Sequence, residues 1–373
     1  MTPTVRPPNM PLAPVNPDGA ELYYEDTGAP QGSDVYKTLI LLHGAVFHSA
    51  VFRPMLQFAA QHNLRLVALT LRDYPGSTPY TSEEIAALKG DKDSQTNMIK
   101  DRGNELAAFL AWFIQKERIP PLSTSFDQDE AAKRADGGLA VLGWSWGNCI
   151  MLSLLAHAGE LPASQQDTLG KYLRTCIIFD VPLFPWGVPL PTEDGPWNPM
   201  SNPNIPPERA NEIFLPWVTG YFAHSESALA SFEALSSEDI LAGLALTSIP
   251  DPAPEWQSTQ QRMSAEQYAE ITDPSVMERS HHLMQNIHHE VYKENTRHAL
   301  RDAIALPHVR AVLVWCDMSV GETVYAAWHL AHDVANAWSP DGRKVEFKRF
   351  RGANHFPHWD QPERTLSLLS EIL

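Results

Sequence analysis

Residues 139–152 read LAVLGWSWGNCIML. Four apolar residues, Leu139-Ala140-Val141-Leu142, lead into Gly143-Trp144-Ser145-Trp146-Gly147, and Asn148-Cys149-Ile150-Met151-Leu152 follows. The first run has the length and character of a strand covered on both faces, and the last suits a helix. A serine set between glycines at such a junction is held in a strained backbone conformation, its hydroxyl aimed away from the sheet. Only small residues can flank it, because the backbones of strand and helix approach closely there. The G-x-S-x-G spacing alone is a weak signal. With a strand before it and a helix after it, Ser145 becomes the candidate nucleophile.

Strand and helix patterns alternate outward from this point. Ala20 to Glu25 alternates as an edge strand does, and Thr38–Leu42 and Leu64–Leu71 are short apolar runs. Thr96–Lys116 has helical spacing, with Leu106, Phe109, Leu110 and Phe113 on one face. Pro120–Gly137 is polar and reads as a surface insertion. After Ser145 come a strand at Thr175–Phe179, a strand at Val309–Trp315, a helix at Gly321–Ala337, a strand at Val345–Phe350 and a closing helix at Gln361–Leu373. This order predicts an α/β fold, a mostly parallel sheet with helices on both faces. The alternation stops between residues 184 and 305. That stretch opens rich in proline and continues with helical patterns at Glu208–His224, Ser237–Ala245, Ala265–Glu270 and Leu283–Ile304. It reads as a helical cap (184–305) inserted into a core domain (19–183 and 306–373), with 1–18 as an extended N-terminal arm.

The chain has 373 residues, 43% hydrophobic and 20% charged, ordinary proportions for a globular enzyme with a large core. A net charge of -17 repels nucleic acid and anionic membranes, so neither is expected as a partner. No apolar stretch approaches the ~20 residues that span a bilayer. The proline-rich start lacks the apolar core of a secretory signal, and the chain does not end in Ser-Lys-Leu. Cys149, Cys176 and Cys316 form an odd set, each in a segment read as core. Reduced thiols and a cytoplasmic setting are therefore expected. The composition gives no guide to oligomeric state.

Two more loops carry chemistry. His43-Gly44-Ala45-Val46 follows the Thr38–Leu42 strand. A tetrahedral intermediate needs two N–H donors for its oxyanion. The residue after the serine, Trp146, supplies one and Ala45 the other, with Gly44 allowing close approach. Gly352-Ala353-Asn354-His355-Phe356-Pro357-His358 follows the last strand. From there a histidine can reach the serine, take its proton and return it to the leaving group. His355, after a small turn-forming approach, is preferred over His358. Gly44, Val46, Trp144, Trp186 and Trp217 are expected to line the substrate pocket, Trp197 also lying in the cap, since aromatics at a pocket mouth suit apolar substrates. His281, His282, His288 and His289 lack an accompanying H-E-x-x-H motif and read as a solvated cap helix rather than a zinc site. No metal or cofactor is expected.

The His43-Gly44 strand end, Arg72-Asp73-Tyr74-Pro75-Gly76-Ser77, the Ser145 pentapeptide and the His355 loop occur in this order over residues 20–373. Together they resemble the α/β-hydrolase fold superfamily in its capped, esterase- and lactonase-like form, and most of all its fungal members. The resemblance implies a Ser-acid-His triad and gives Arg72 and Asp73 loop-stabilising roles. The usual acid position, after the Val309–Trp315 strand, holds Ser319 in Cys316-Asp317-Met318-Ser319. Two acids remain: Asp180, at the end of the strand after the nucleophile helix, where some members carry theirs, and Asp317. Asp180 is preferred because a strand's carboxyl end faces the same crevice as Ser145, with Asp317 as the alternative. A serine in place of aspartate argues against epoxide hydrolases and haloalkane dehalogenases. The expected activity is hydrolysis of an apolar ester, lactone or thioester through an acyl-enzyme. A lactone-forming cyclase of secondary metabolism using the same triad is the runner-up, and a non-catalytic ligand receptor the alternative from another class.

Overall fold

A computed structural model describes residues 11–122, 137–188, 198–200, 202, 204–230 and 232–373. The remainder includes most of the arm, most of the 120–137 insertion and Trp197, which lie outside the described residues. Eight strands form one sheet: β1 (Leu12–Pro14), β2 (Glu21–Asp26), β3 (Lys37–Leu42), β4 (Leu64–Leu69), β5 (Leu139–Trp144), β6 (Leu173–Phe179), β7 (Arg310–Cys316) and β8 (Val345–Phe350), in the order β1-β2-β4-β3-β5-β6-β7-β8. The β1–β2 and β2–β4 pairs are antiparallel and the rest parallel. β4, β5 and β6 are buried along their whole length. Covered on both faces, they show as continuous apolar runs in the sequence. Edge-side β2 alternates, as expected for a strand with one exposed face. β1 is a refinement to the expected arm, since Leu12 pairs with Tyr23.

The flanking helices are α1 (Lys92–Glu117), α2 (Gly147–His157), α3 (Ala163–Tyr172), α4 (Pro207–Val218), α5 (Ser237–Gly243), α6 (Ala265–Ile271), α7 (His289–Thr296), α8 (Gly321–Ala337) and α9 (Pro362–Ile372). Asp91 caps α1 through Ser94 N–H, and Leu106, Phe109, Leu110 and Phe113 form its buried face. α1 packs on α2 at Gly103, where a Cβ would stand 2.7 Å from the Leu154 nitrogen. Among the described residues no helix is long and apolar enough to cross a membrane. The three cysteines are free and buried in α2, β6 and β7.

Between β6 and β7 the chain leaves the sheet and forms mainly short helices, including α4 to α7. Three expectations for this stretch need correction. The helix expected at 208–224 ends at Val218. The one expected at 283–304 is three pieces: His282–Gln285, α7, and a wider π turn at Arg297–Arg301. The break falls at Asn286–His288, where Ile287 turns into the core and the His288 ring accepts from Glu290 N–H to start α7. The histidine-rich stretch is likewise not a uniformly solvated face. His281 is buried with its ring 4.7 Å from that of Trp146.

Candidate active site

Ser145 sits between β5 and α2 with φ +52°, the left-handed region that side chains other than glycine seldom occupy. Its N–H donates to Phe179 O at 3.0 Å, and its carbonyl accepts from Asn148 Nδ2 at 2.8 Å. Crowding explains the flanking glycines. A Cβ on Gly143 would meet Asn148 at 2.8 Å, and one on Gly147 would meet Leu42 O at 2.6 Å. Gly44 comes as close from β3, where a Cβ would lie 2.9 Å from that of Ser145.

The loop after β3 is held rigidly. His43 is buried; its Nδ1–H donates to Gly44 O at 2.9 Å and its Nε2 accepts from Leu71 N–H at 3.0 Å, which fixes the tautomer. Burial pushes its pKa down to about 3, so it stays neutral. Val46, a β-branched residue at φ +71°, stores strain of about 1–3 kcal/mol and donates its N–H to the Tyr74 hydroxyl at 3.1 Å. Sequence reasoning missed His43 and Tyr74 as supports of this loop, although both lie in the motifs it singled out. Arg72 pairs with Glu84 and Glu105, and Asp73 accepts from Arg279 and Ser280. Both hold the neighbouring turn.

His355 follows β8. Its Nδ1 pairs with Asp180 Oδ2 at 2.6 Å, both side chains being buried. Asp180, at φ +42° just beyond β6, also accepts from Cys316 N–H at Oδ1 (2.9 Å) and from Ser319 Oγ at Oδ2 (2.6 Å). Thr323 Oγ1 donates in turn to Ser319 Oγ at 2.9 Å. Ser319, where the resemblance implied an acid, thus hydrogen-bonds the acid of the other position. Asp317 turns elsewhere: it accepts from Arg349 Nε at 2.8 Å and from Gly352 N–H at 2.6 Å. His358 is fully buried against Trp144 and Phe52, and neither ring nitrogen has a partner among the described residues. Burial lowers its pKa strongly. It packs the loop behind His355. Asn354 ties that loop to the inserted segment, donating to Thr219 O and Thr259 Oγ1, both at 2.9 Å. Asp360 adds a second tie by accepting from Tyr221 and Thr259.

Ser145 and His355 line one cavity of about 400 Å³ together with Ala45, Trp146, Trp217 and Glu322. That volume suits a small-molecule ligand. Its wall mixes apolar side chains, among them Leu183, Phe184, Phe214, Ile287 and Val320, with polar groups such as His282, Gln285 and His289. Four expected lining residues stand outside it. The Trp144 indole donates to His355 O at 2.9 Å and packs on Phe356 and His358. Trp186 donates to Ala326 O at 3.1 Å and lies against α8. Gly44 and Val46 act through the loop backbone described above. Among the described residues no group of three or more His, Cys, Asp or Glu side chains is placed to hold a metal.

A serine on a strand-to-helix turn and a histidine from the loop after the last strand line one cavity of a protein whose eight-stranded sheet has the order given above. Residues 39–368 match the sequence profile of the alpha/beta hydrolase family. The chain belongs to that family. The hydrolase matches no curated protein sequence. Its fold is similar to that of solved structures at low identity. Est816, described as an N-acyl homoserine lactone degrading enzyme, is 15% identical with a TM-score of 0.50, over 97% of this chain and 100% of that one. An esterase from Exiguobacterium antarcticum is 12% identical with a TM-score of 0.49, over 98% and 99%. The epoxide hydrolase VrEH1 from Vigna radiata is 13% identical with a TM-score of 0.45, over 98% and 97%.

Proposed function

We propose that this hydrolase cleaves an ester, lactone or thioester of an apolar small molecule through Ser145, His355 and Asp180. The observation that carries the reading is the 2.6 Å contact between Asp180 and His355, whose ring opens onto the same cavity as Ser145. Asp180 accepts the Nδ1 proton, which leaves Nε2 as the base for the serine hydroxyl and stabilises the imidazolium that forms. Ser145 then attacks the carbonyl, and the N–H groups of Ala45 and Trp146 receive the oxyanion. His355 returns the proton to the leaving group. Water, activated by the same base, releases the acid from the acyl-enzyme. Two of three bonds to Asp180 come from the Cys316–Ser319 turn, which supports Asp180 over Asp317 as the acid. A serine in place of a carboxylate nucleophile disfavours epoxide opening.

A fluorophosphonate probe tests the reading. Wild-type protein is expected to label within minutes at Ser145, and Ser145→Ala and His355→Ala are expected to lose labelling. Folded protein that does not label would favour a binding role. Turnover of p-nitrophenyl esters and acyl thioesters that carry an internal hydroxyl, with products resolved by mass, separates the two outcomes: both release the same alcohol or thiol, and hydrolysis leaves a hydroxy acid while a cyclase leaves the lactone, lighter by one water.

A further inference from the structure

Glu322 is the carboxyl group of the cavity, and acyl transfer by Ser145 leaves it unused. It lies in the first turn of α8, is 4% exposed, and lines the same cavity as Ser145 and His355. Its Oε1 accepts from Leu183 N–H at 3.3 Å and its Oε2 from Asn198 Nδ2 at 2.5 Å. A carboxyl group offers about four lone-pair sites. Among the described residues two are filled, by Leu183 and Asn198. Burying a carboxyl is costly unless its remaining capacity is met. Burial raises its pKa, opposed by the Leu183 and Asn198 hydrogen bonds and by the charge of His355.

We propose that Glu322 forms a second subsite of this cavity, taking a hydroxyl group that the substrate carries away from the bond attacked by Ser145. The argument rests on the serine-hydrolase reading of the same cavity and narrows its substrate to a hydroxylated apolar acyl compound. A hydroxyl is the fitting partner because it both donates and accepts. It donates to the carboxylate form of Glu322 and accepts from the acid form, so either state leaves no polar atom unpaired. The surrounding Leu183, Phe184, Val320 and Trp217 side chains cover the hydrocarbon part. A pocket built to hydrogen-bond a substrate hydroxyl also disfavours the analogue without one, because its own polar group is then stranded.

Calorimetry on Ser145→Ala protein tests this without turnover, using methyl octanoate and the set of its monohydroxylated isomers. The best isomer is expected to bind about 10- to 100-fold more tightly than the unsubstituted ester, the range of a hydrogen bond to a charged or acidic group. Adding Glu322→Ala should erase that preference. Adding Glu322→Gln should keep part of it, since an amide also donates and accepts. Equal affinities across the set, no binding by any of the esters, or a preference that survives Glu322→Ala would overturn the proposal. Failure of the serine reading shows separately, as lack of phosphonate labelling in wild-type protein with the hydroxyl preference intact.

Discussion

Replacing Asp180 by asparagine isolates one proton. Asp180 Oδ1 accepts from the Cys316 amide, a backbone donor that cannot turn away. The asparagine oxygen must therefore take the Oδ1 place, which puts its NH₂ where Oδ2 faced His355 Nδ1 and Ser319 Oγ, both 2.6 Å away. The Ser319 hydroxyl can rotate to accept. The imidazole can accept the NH₂ only as the tautomer protonated on Nε2, and that tautomer cannot take a proton from Ser145. The expected loss is about 10⁴-fold in kcat, equivalent to about 5.4 kcal/mol of barrier, with little change in KM. Asp317→Asn instead weakens a pair with Arg349 and a bond from Gly352 N–H, and is expected to stay within about tenfold of wild type, since it costs about 1–2 kcal/mol at a site away from the base. The assay is hydrolysis of p-nitrophenyl butyrate, with circular dichroism to confirm folding. A crippled Asp317→Asn beside an Asp180→Asn within tenfold of wild type would refute the assignment.

Ser319→Ala removes one of the two short bonds to Asp180 Oδ2 and should lower kcat by about 10-fold; a rate unchanged within twofold would mean that Ser319 does not support the acid. Trp217→Ala opens the apolar wall and should raise KM for octanoate esters more than for acetate esters, by about 10-fold, as steady-state kinetics on both would read. Gly103→Ala would set a Cβ 2.7 Å from the Leu154 nitrogen, forcing α1 and α2 apart at a cost of about 1–3 kcal/mol in urea unfolding. His43 and His281 are buried and neutral, their pKa values lowered by burial from 6.5 to about 3. The unfolded chain protonates them below about 6.5 while the folded chain does not. Their stabilisation is therefore present above that pH and is lost as pH falls toward 3. The unfolding free energy should drop by up to about 2.7 kcal/mol per pH unit from the pair, and His281→Asn should make the measured slope shallower by up to about 1.4 kcal/mol per pH unit.

The central strands β3 to β7 were legible because burial on both faces leaves a continuous apolar signature, whereas the three-residue β1 at the sheet edge leaves none. α8 and β8 match the sequence reading residue for residue, and the turn at Ser145 was legible because its glycines answer to backbone crowding that any sequence reader can anticipate. The choice between Asp180 and Asp317 was harder. Both end core strands, and sequence position does not say which carboxyl turns to the histidine. The roles of Trp144 and Trp186 were hidden for a related reason: an aromatic beside a motif can face the cavity or stand behind it, and only neighbours such as His355 O and Ala326 O decide. The break at Asn286–His288 carries no glycine or proline, so a helical periodicity ran straight through it. His281 looked like part of a polar run, while its burial against Trp146 depends on contacts distant in sequence.

The ties from Asn354 to Thr219 and Thr259 have a consequence for how such an enzyme changes over evolutionary time. Phe214 and Trp217, which face the ligand space, sit on the turn of α4 just ahead of Thr219. Under the proposed function, selectivity would rest on the last turn of α4 and base alignment on Thr219, which caps it, yet by different means, the first through interchangeable side chains and the second through a main-chain carbonyl that every residue type possesses. Substrate preference can drift at the former while the proton-handling apparatus stays in register.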